Sequence, residues 1–450
     1  MTAQATRRFQ PRIVRNADAR PDAASPDAPK PVVVPSPSDG PHPPHGQLLF
    51  RIEELIRENR WEEILGLCYP VETRRPDLTA ARMDVAVRSK AAFALSHLKR
   101  FNEAIAELEI CTNREPGNFL HHSALAFNAY NSVWADKNRE TRLTADLRRD
   151  RIALAHAHFK KAQEIRPDNV TVFYREGMLY KGIEAKPARA LPLFLRAIRN
   201  WESMSEREKE ARHQERKNYV KSLYQAASAV LDQGAAVKSL ELMEKCIAAD
   251  DRSGHVEPVF KFFALGKIRF AMDRLPEAEA ALKKAFDSRR KNQPVDFVFE
   301  LMGRVYLAAG EAAAALDAVG RVPEHRRRPY VRWTEADALC ALGRADEARR
   351  ILLAAAERDR LSRHKTLLKL ARIEMDAGRF DKVDAHAEAA DRFFREKWGN
   401  PCIEAHYWRG RAALAGKDRK KAASAVETLE KHAPDSGWTA RLRDAMETMP

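Results

Sequence analysis

The sequence predicts an all-α protein, a solenoid of stacked antiparallel helix pairs preceded by a disordered arm. Three observations predict it. From Gln47 onward, apolar residues recur at helical spacing and are interrupted every 12 to 16 residues, the rhythm of paired helices. Small residues recur twelve positions apart, at Ala92/Ala104, Ala227/Ser239, Gly266/Ala278, Gly303/Ala315, Ala336/Ala348 and Gly410/Ala422. Ala371/Val383 is a slightly larger variant, and Gly177/Ala190 keeps the pattern with one residue inserted. Finally, Gly234, Gly310, Gly343 and Gly378 each follow the first small residue by seven, where a helix C-terminus needs a left-handed residue.

The chain opens on residues 1–46, which hold ten of the 24 prolines and almost no large apolar residues. Proline lacks the amide hydrogen and fixes its own φ, so this stretch reads as a disordered, semi-extended arm. The repeats occupy 47–434. The first unit, around Trp61 to Pro76, matches the spacing poorly and reads as a cap. Two gaps between successive helix-B small residues reach about 50 residues against a period near 34. They place insertions near 131–151 and 201–217. Residues 435–450 read as a C-terminal capping helix that covers the last repeat.

Composition limits the function. The formal charge is +15, of which the arm carries +2 and the helical body +13, so acidic partners are expected. No run has the eighteen or so uncharged apolar residues of a membrane span. The first fifteen residues lack an apolar h-region. Five scattered cysteines without a Cys-x-x-Cys suit free thiols in a reducing, cytoplasmic setting, where the sequon at Asn169 means little. Phosphate-loop, zinc-protease and nucleophile-elbow motifs are all missing, so no catalytic, cofactor or metal residue is assigned and an enzyme is not expected. His121 and His122 diverge on a helix, as do His156 and His158, so neither pair chelates a metal on one face.

The small-residue spacing, with a proline twelve residues further on at Pro116, Pro167 and Pro434, resembles the tetratricopeptide repeat. The resemblance is carried by "AAFALSHLKRFNEAIAELEICTNREP" (91–116), "ALGKIRFAMDRLPEAEAALKKAF" (264–286) and "RGRAALAGKDRKKAASAVETLEKHAP" (409–434). It covers roughly 47–434 as nine or ten units and implies a continuous right-handed superhelix, with helix A of each unit lining an inner binding face. It also makes Cys111 and Cys246 packing residues of helix B.

On that reading, the residue after the helix-A small position is Lys267, Arg304, Asp337, Arg372 and Arg411 in five successive units, a ladder dominated by cations. Asp337 is expected to pair with Arg304 or Arg372. Three residues before the small position stand aromatics, Tyr174, Phe263, Trp333 and Tyr407. Cations beside aromatic platforms suit an acidic polypeptide with bulky side chains, and the expected function is a protein-binding scaffold or adaptor. The asparagines of a chaperone carboxylate clamp are missing, replaced by Lys90, Arg175 and Ala264. The alternative is a nucleic-acid-associated regulator using the basic clusters 148–151, 289–291, 326–328 and 417–421.

Overall fold

In each helix pair the apolar stripes of helix A and helix B face each other, and every small residue of the twelve-residue pattern lies at that contact. The computed structural model describes residues 44–69, 81–250 and 253–448, and among them it holds twenty-two α-helices and no strand. The expected arm lies, but for its last three residues, outside the described residues. The helices fall into two compact units, residues 1–256 and 257–450, where the sequence pattern suggests one uninterrupted run.

The first unit pairs α1 (Pro44–Arg57) with α2 (Trp61–Cys68), α3 (Ala81–His97) with α4 (Phe101–Arg114), and α5 (Phe119–Lys137) with α6 (Ala145–Ile165). It continues with α7 (Thr171–Met178) and α8 (Pro187–Glu202), a short α9 (Glu206–Ala211), then α10 (Arg216–Asp232) with α11 (Ala236–Ala249). The second unit holds α12 (Pro258–Ala271) with α13 (Leu275–Asp287), α14 (Asp296–Ala308) with α15 (Ala312–Gly320), and α16 (Pro329–Ala341) with α17 (Ala345–Arg358). It ends with α18 (Arg363–Asp376) and α19 (Phe380–Trp398), α20 (Ile403–Ala415) and α21 (Arg419–His432), and a final α22 (Gly437–Glu447).

The small residues do what their spacing predicts. Ala92, Ala104, Ala227, Ser239, Ala278, Ala315, Ala336, Ala348 and Ala422 are all buried. The Ser239 hydroxyl donates to the Ala227 carbonyl at 2.7 Å, a direct link between the two small positions of one unit. Each turn closes on a residue in the left-handed region. Gly234, Gly310, Gly343 and Gly378 fill it with φ between 69° and 85°, while Lys99, Asp273 and Lys417 hold the same register position at φ 59°, 60° and 62°. Helix B ends two residues before Pro116, Pro167 and Pro434.

The single inserted residue between Gly177 and Ala190 is absorbed in a π-helical turn at Leu179–Ile183, so the left-handed residue moves one place, to Ala185 at φ 57°. The region 131–151 forms no separate insert. It extends α5 to 19 residues and α6 to 21, joined through 138–144. The region 201–217 builds α9 and a 3₁₀ turn (His213–Glu215). Glu215 accepts the Val170 amide at 2.6 Å and Arg212 binds Asp168, which ties the insert to the start of α7. At the C-terminus α22 packs on the last pair through the fully buried Leu442.

Candidate protein-binding face

The helix-A members of the second unit carry one recurrent stripe. On α12 it runs Phe260, Phe263, Lys267 and Phe270, and on α14 Phe297, Glu300 and Arg304, spacings of three and four residues that stay on one helix face. Phe260, Phe263, Phe270 and Phe297 are all half-buried, packed on one side against the core and open on the other. Phe260 stacks on Phe297 at 5.8 Å, and Phe263 meets Phe297 edge-on at 4.7 Å, so three rings from two helices form one platform. Phe260 and Phe297 stand six residues before the small position. They lie outside the two register positions of the expected site, three before and one after the small residue, although the same spacing rule reaches them.

The cations border this platform. Arg304 lies over the Phe270 ring at 5.2 Å and 4.0 Å from Glu300, and Lys267 is half-buried one turn from Phe263. Arg372 on α18 is exposed, and Arg411 on α20 is half-buried and donates to the Tyr407 hydroxyl at 3.3 Å.

The predicted aromatics divide. Phe263 belongs to the platform. Trp333 is half-buried, and its indole N–H donates to Thr366 at 2.9 Å, which pins it between α16 and α18. Tyr407 is 6% exposed and packs against Trp438 of α22 at 4.6 Å, so it supports the cap and offers no open contact area. The capping helix removes it from the face because an aromatic at the last repeat has no following unit to cover it. Tyr174 belongs to α7 of the first unit, where it is half-buried against Phe194 at 6.2 Å.

The acids on the stripe are engaged internally. Asp337 pairs with Lys369, both carboxylate oxygens at 2.6 Å, and not with Arg304 or Arg372 as expected. Lys369 comes from the next helix A, one register step away from the ladder. Glu300 accepts from the Thr334 hydroxyl at 2.9 Å, and burial pushes its carboxyl above the usual range despite Arg304. Burial likewise raises Glu404, which accepts from Trp408. The charge that remains outward is therefore mainly cationic.

Several arginines of the basic clusters elsewhere make bonds within the fold. Arg327 donates to Val322 O at 2.8 Å and Glu335 at 2.6 Å, and Arg328 lies 3.6 Å from Asp296. Arg148 reaches Asp136, Arg149 reaches Asp146, and Arg151 donates to Asn102. Arg290 pairs with Glu257 at 2.9 Å. Arg289, Arg290 and Lys291 stand exposed together, as do Lys417, Arg419, Lys420 and Lys421.

Two histidines that diverge along their own helices meet across the α5–α6 pair. His122 and His158 face each other, Nδ1 to Nδ1, at 2.8 Å, and the His122 Nε2 donates to the Pro116 carbonyl at 2.9 Å. Cross-helix pairing of this kind is not legible from spacing within one helix. Among the described residues, no group of three or more His, Cys, Asp or Glu side chains could hold a metal ion. Cys111 and Cys246 are buried, and each thiol approaches a carbonyl 26 residues back, Val85 and Val220, as equivalent packing positions would.

No protein-family model matches the chain. No curated protein matches it significantly by sequence. Among solved structures it is similar to a tetratricopeptide repeat protein from Parabacteroides merdae, at 15% identity and a TM-score of 0.45, over 61% of this chain and 99% of that one. It is similar to yeast Tom70 at 11% identity and a TM-score of 0.40, over 90% and 95% of the two chains. A third likeness is to human IFIT1, solved as a dimer with PPP-AAAA, at 16% identity and a TM-score of 0.37, over 87% and 83%. The helix pairs themselves, with their twelve-residue small-residue contacts and left-handed turns, make each unit of this chain a stack of tetratricopeptide-like repeats.

Proposed function

We propose that this protein is a non-enzymatic binding scaffold whose second unit takes an acidic polypeptide segment with bulky apolar side chains. One observation carries the reading. Phe260, Phe263 and Phe297 form a half-exposed platform on the helix-A faces of α12 and α14, with Lys267 and Arg304 on the same stripes. A solvated face has no use for three clustered rings, whereas a docked side chain would bury their open sides, and the flanking cations would meet carboxylates. Arg372 and Arg411 extend the cationic row over α18 and α20. The five free thiols fit a reducing, cytoplasmic setting.

The test is a peptide-display selection on the full chain, followed by affinity measurement on variants. Selected peptides should be rich in Asp or Glu together with aromatic or aliphatic residues. Phe297→Ala should weaken the best of them by about 2 kcal/mol, as truncation of a central anchor does. Arg304→Glu with Arg372→Glu should abolish binding while helicity is retained. Selection of basic peptides, or equal affinity for all variants, would overturn the reading.

A further inference from the structure

A second surface lies apart from the platform, where α17 turns into α18 and α19 turns into α20. Leu361 in the first turn is 60% exposed, and Trp398 at the end of α19 is 45% exposed. The two turns are pinned together, because the Lys397 ammonium donates to the Arg360 carbonyl at 2.7 Å. Trp398 is backed by Phe394 at 4.5 Å and the buried His364 at 5.1 Å, and the Lys397 ammonium lies 5.4 Å from its ring centroid, while 45% of its surface stays exposed.

The charges around these two side chains are sorted. Two acids near the turns, Asp359 and Asp391, point inward. Asp359 accepts the Leu361 and Ser362 amides at 2.9 and 2.8 Å, and Asp391 accepts the Cys402 amide at 2.7 Å and the Arg395 guanidinium at 2.6 Å. Arg360, Arg363 and Lys397 remain exposed, against the exposed acids Glu357 and Glu396, while the exposed Arg392 pairs with Glu388 at 3.4 Å. The outward field of this edge is positive.

We propose that this edge docks peripherally on a bilayer surface bearing anionic headgroups. Trp398 sits at headgroup depth, Leu361 enters the acyl boundary beneath it, and Arg360, Arg363 and Lys397 meet the phosphates. An exposed tryptophan, an outward aliphatic side chain and a ring of cations on adjoining helix turns are the parts an interfacial site needs. No helix among the described residues is long and apolar enough to cross a membrane, so the contact stays at the surface.

The experiment is co-sedimentation of the full chain with phosphatidylcholine vesicles, with or without about one third phosphatidylglycerol, at low and raised salt. The wild type should bind the anionic vesicles, release as salt rises, and ignore phosphatidylcholine alone. Leu361→Glu, in an exposed turn where folding is not at stake, should weaken binding at least about tenfold, and Arg360→Glu with Arg363→Glu should do the same. Arg304→Glu, on the peptide platform, should leave vesicle binding unchanged, which separates this surface from that one. Absence of wild-type binding to anionic vesicles would overturn the proposal. So would binding that survives the Leu361 and arginine changes, or capture by soluble polyglutamate in place of vesicles.

Discussion

A β-carbon placed on Gly303 would stand 3.0 Å from Val319 Cγ2, 3.1 Å from Thr334 Cγ2 and 3.3 Å from the Ala315 carbonyl. Three neighbours from α15 and α16 would each have to give way, so Gly303→Leu should cost about 1–3 kcal/mol, read as a lowered denaturant midpoint. Lys99 and Lys417 illustrate the opposite case, since each holds a left-handed turn that glycine holds elsewhere in the chain. Lys99→Gly should therefore stabilise by about 0.5–1 kcal/mol, the left-handed strain relieved less the extra freedom of unfolded glycine. The His122–His158 contact makes a pH prediction. Burial, and then the neighbouring His122, lower His158 from its ordinary 6.5 to about 4. The unfolded chain thus binds a proton that the folded one refuses, so stability is full above pH 6.5 and declines as pH falls toward 4. His156 works the other way. Burial lowers it, but hydrogen bonds to Glu176 and Glu184 outweigh that and raise it, so its contribution is present at low pH and lost as pH rises past its folded value. Replacing His158 with Gln should flatten the acid-side decline in denaturant midpoint, while replacing His156 should lower the midpoint at acid pH and flatten its fall as pH rises above 6.5.

At the scale of the element, α22 shows how a terminal helix completes a repeat. Leu442 is fully buried, and a β-carbon on Gly410 of α20 would collide with its side chain, so the last helix A is shaped to receive α22. Leu442→Ala should cost about 2–5 kcal/mol, and hydrogen exchange should rise first in α20 and α21. An unchanged exchange pattern there would mean that α22 is an appendage. The insertion regions carry a further lesson. Their lengths are legible as gaps in the small-residue period, yet one lengthens a helix pair while the other folds into α9. What distinguishes them is local chemistry. Ser205 and Glu208 form a capping box that starts α9, whereas residues 131–137 keep the buried Ser132, Val133 and Trp134 that continue α5.

For the whole molecule, contacts in a repeat array are chiefly between neighbours, so damage should stay local. Gly303→Leu should speed exchange in α14 to α16 and leave α3 to α6 of the first unit as in the wild type; uniform acceleration through the chain would contradict that. The same locality explains what was legible beforehand. Small residues at the helix contact, glycine at φ near 80° and proline after helix B are demands of single units, met by residue type at a set spacing. They determined the all-α class, the helix pairs, the π-turn's extra residue and the register of Lys267, Arg304, Arg372 and Arg411. Which of the aromatics stays open is a different matter. Phe263 and Tyr407 hold the same register position, but Phe263 leans on Phe297 with one side free, and Tyr407 disappears beneath Trp438. Asp337 likewise met Lys369 in place of the ladder arginines, and His122 met His158. Spacing along one helix sets the direction in which a side chain leaves the backbone, but burial and pairing are set by the neighbouring helix, and only the tertiary structure decided those.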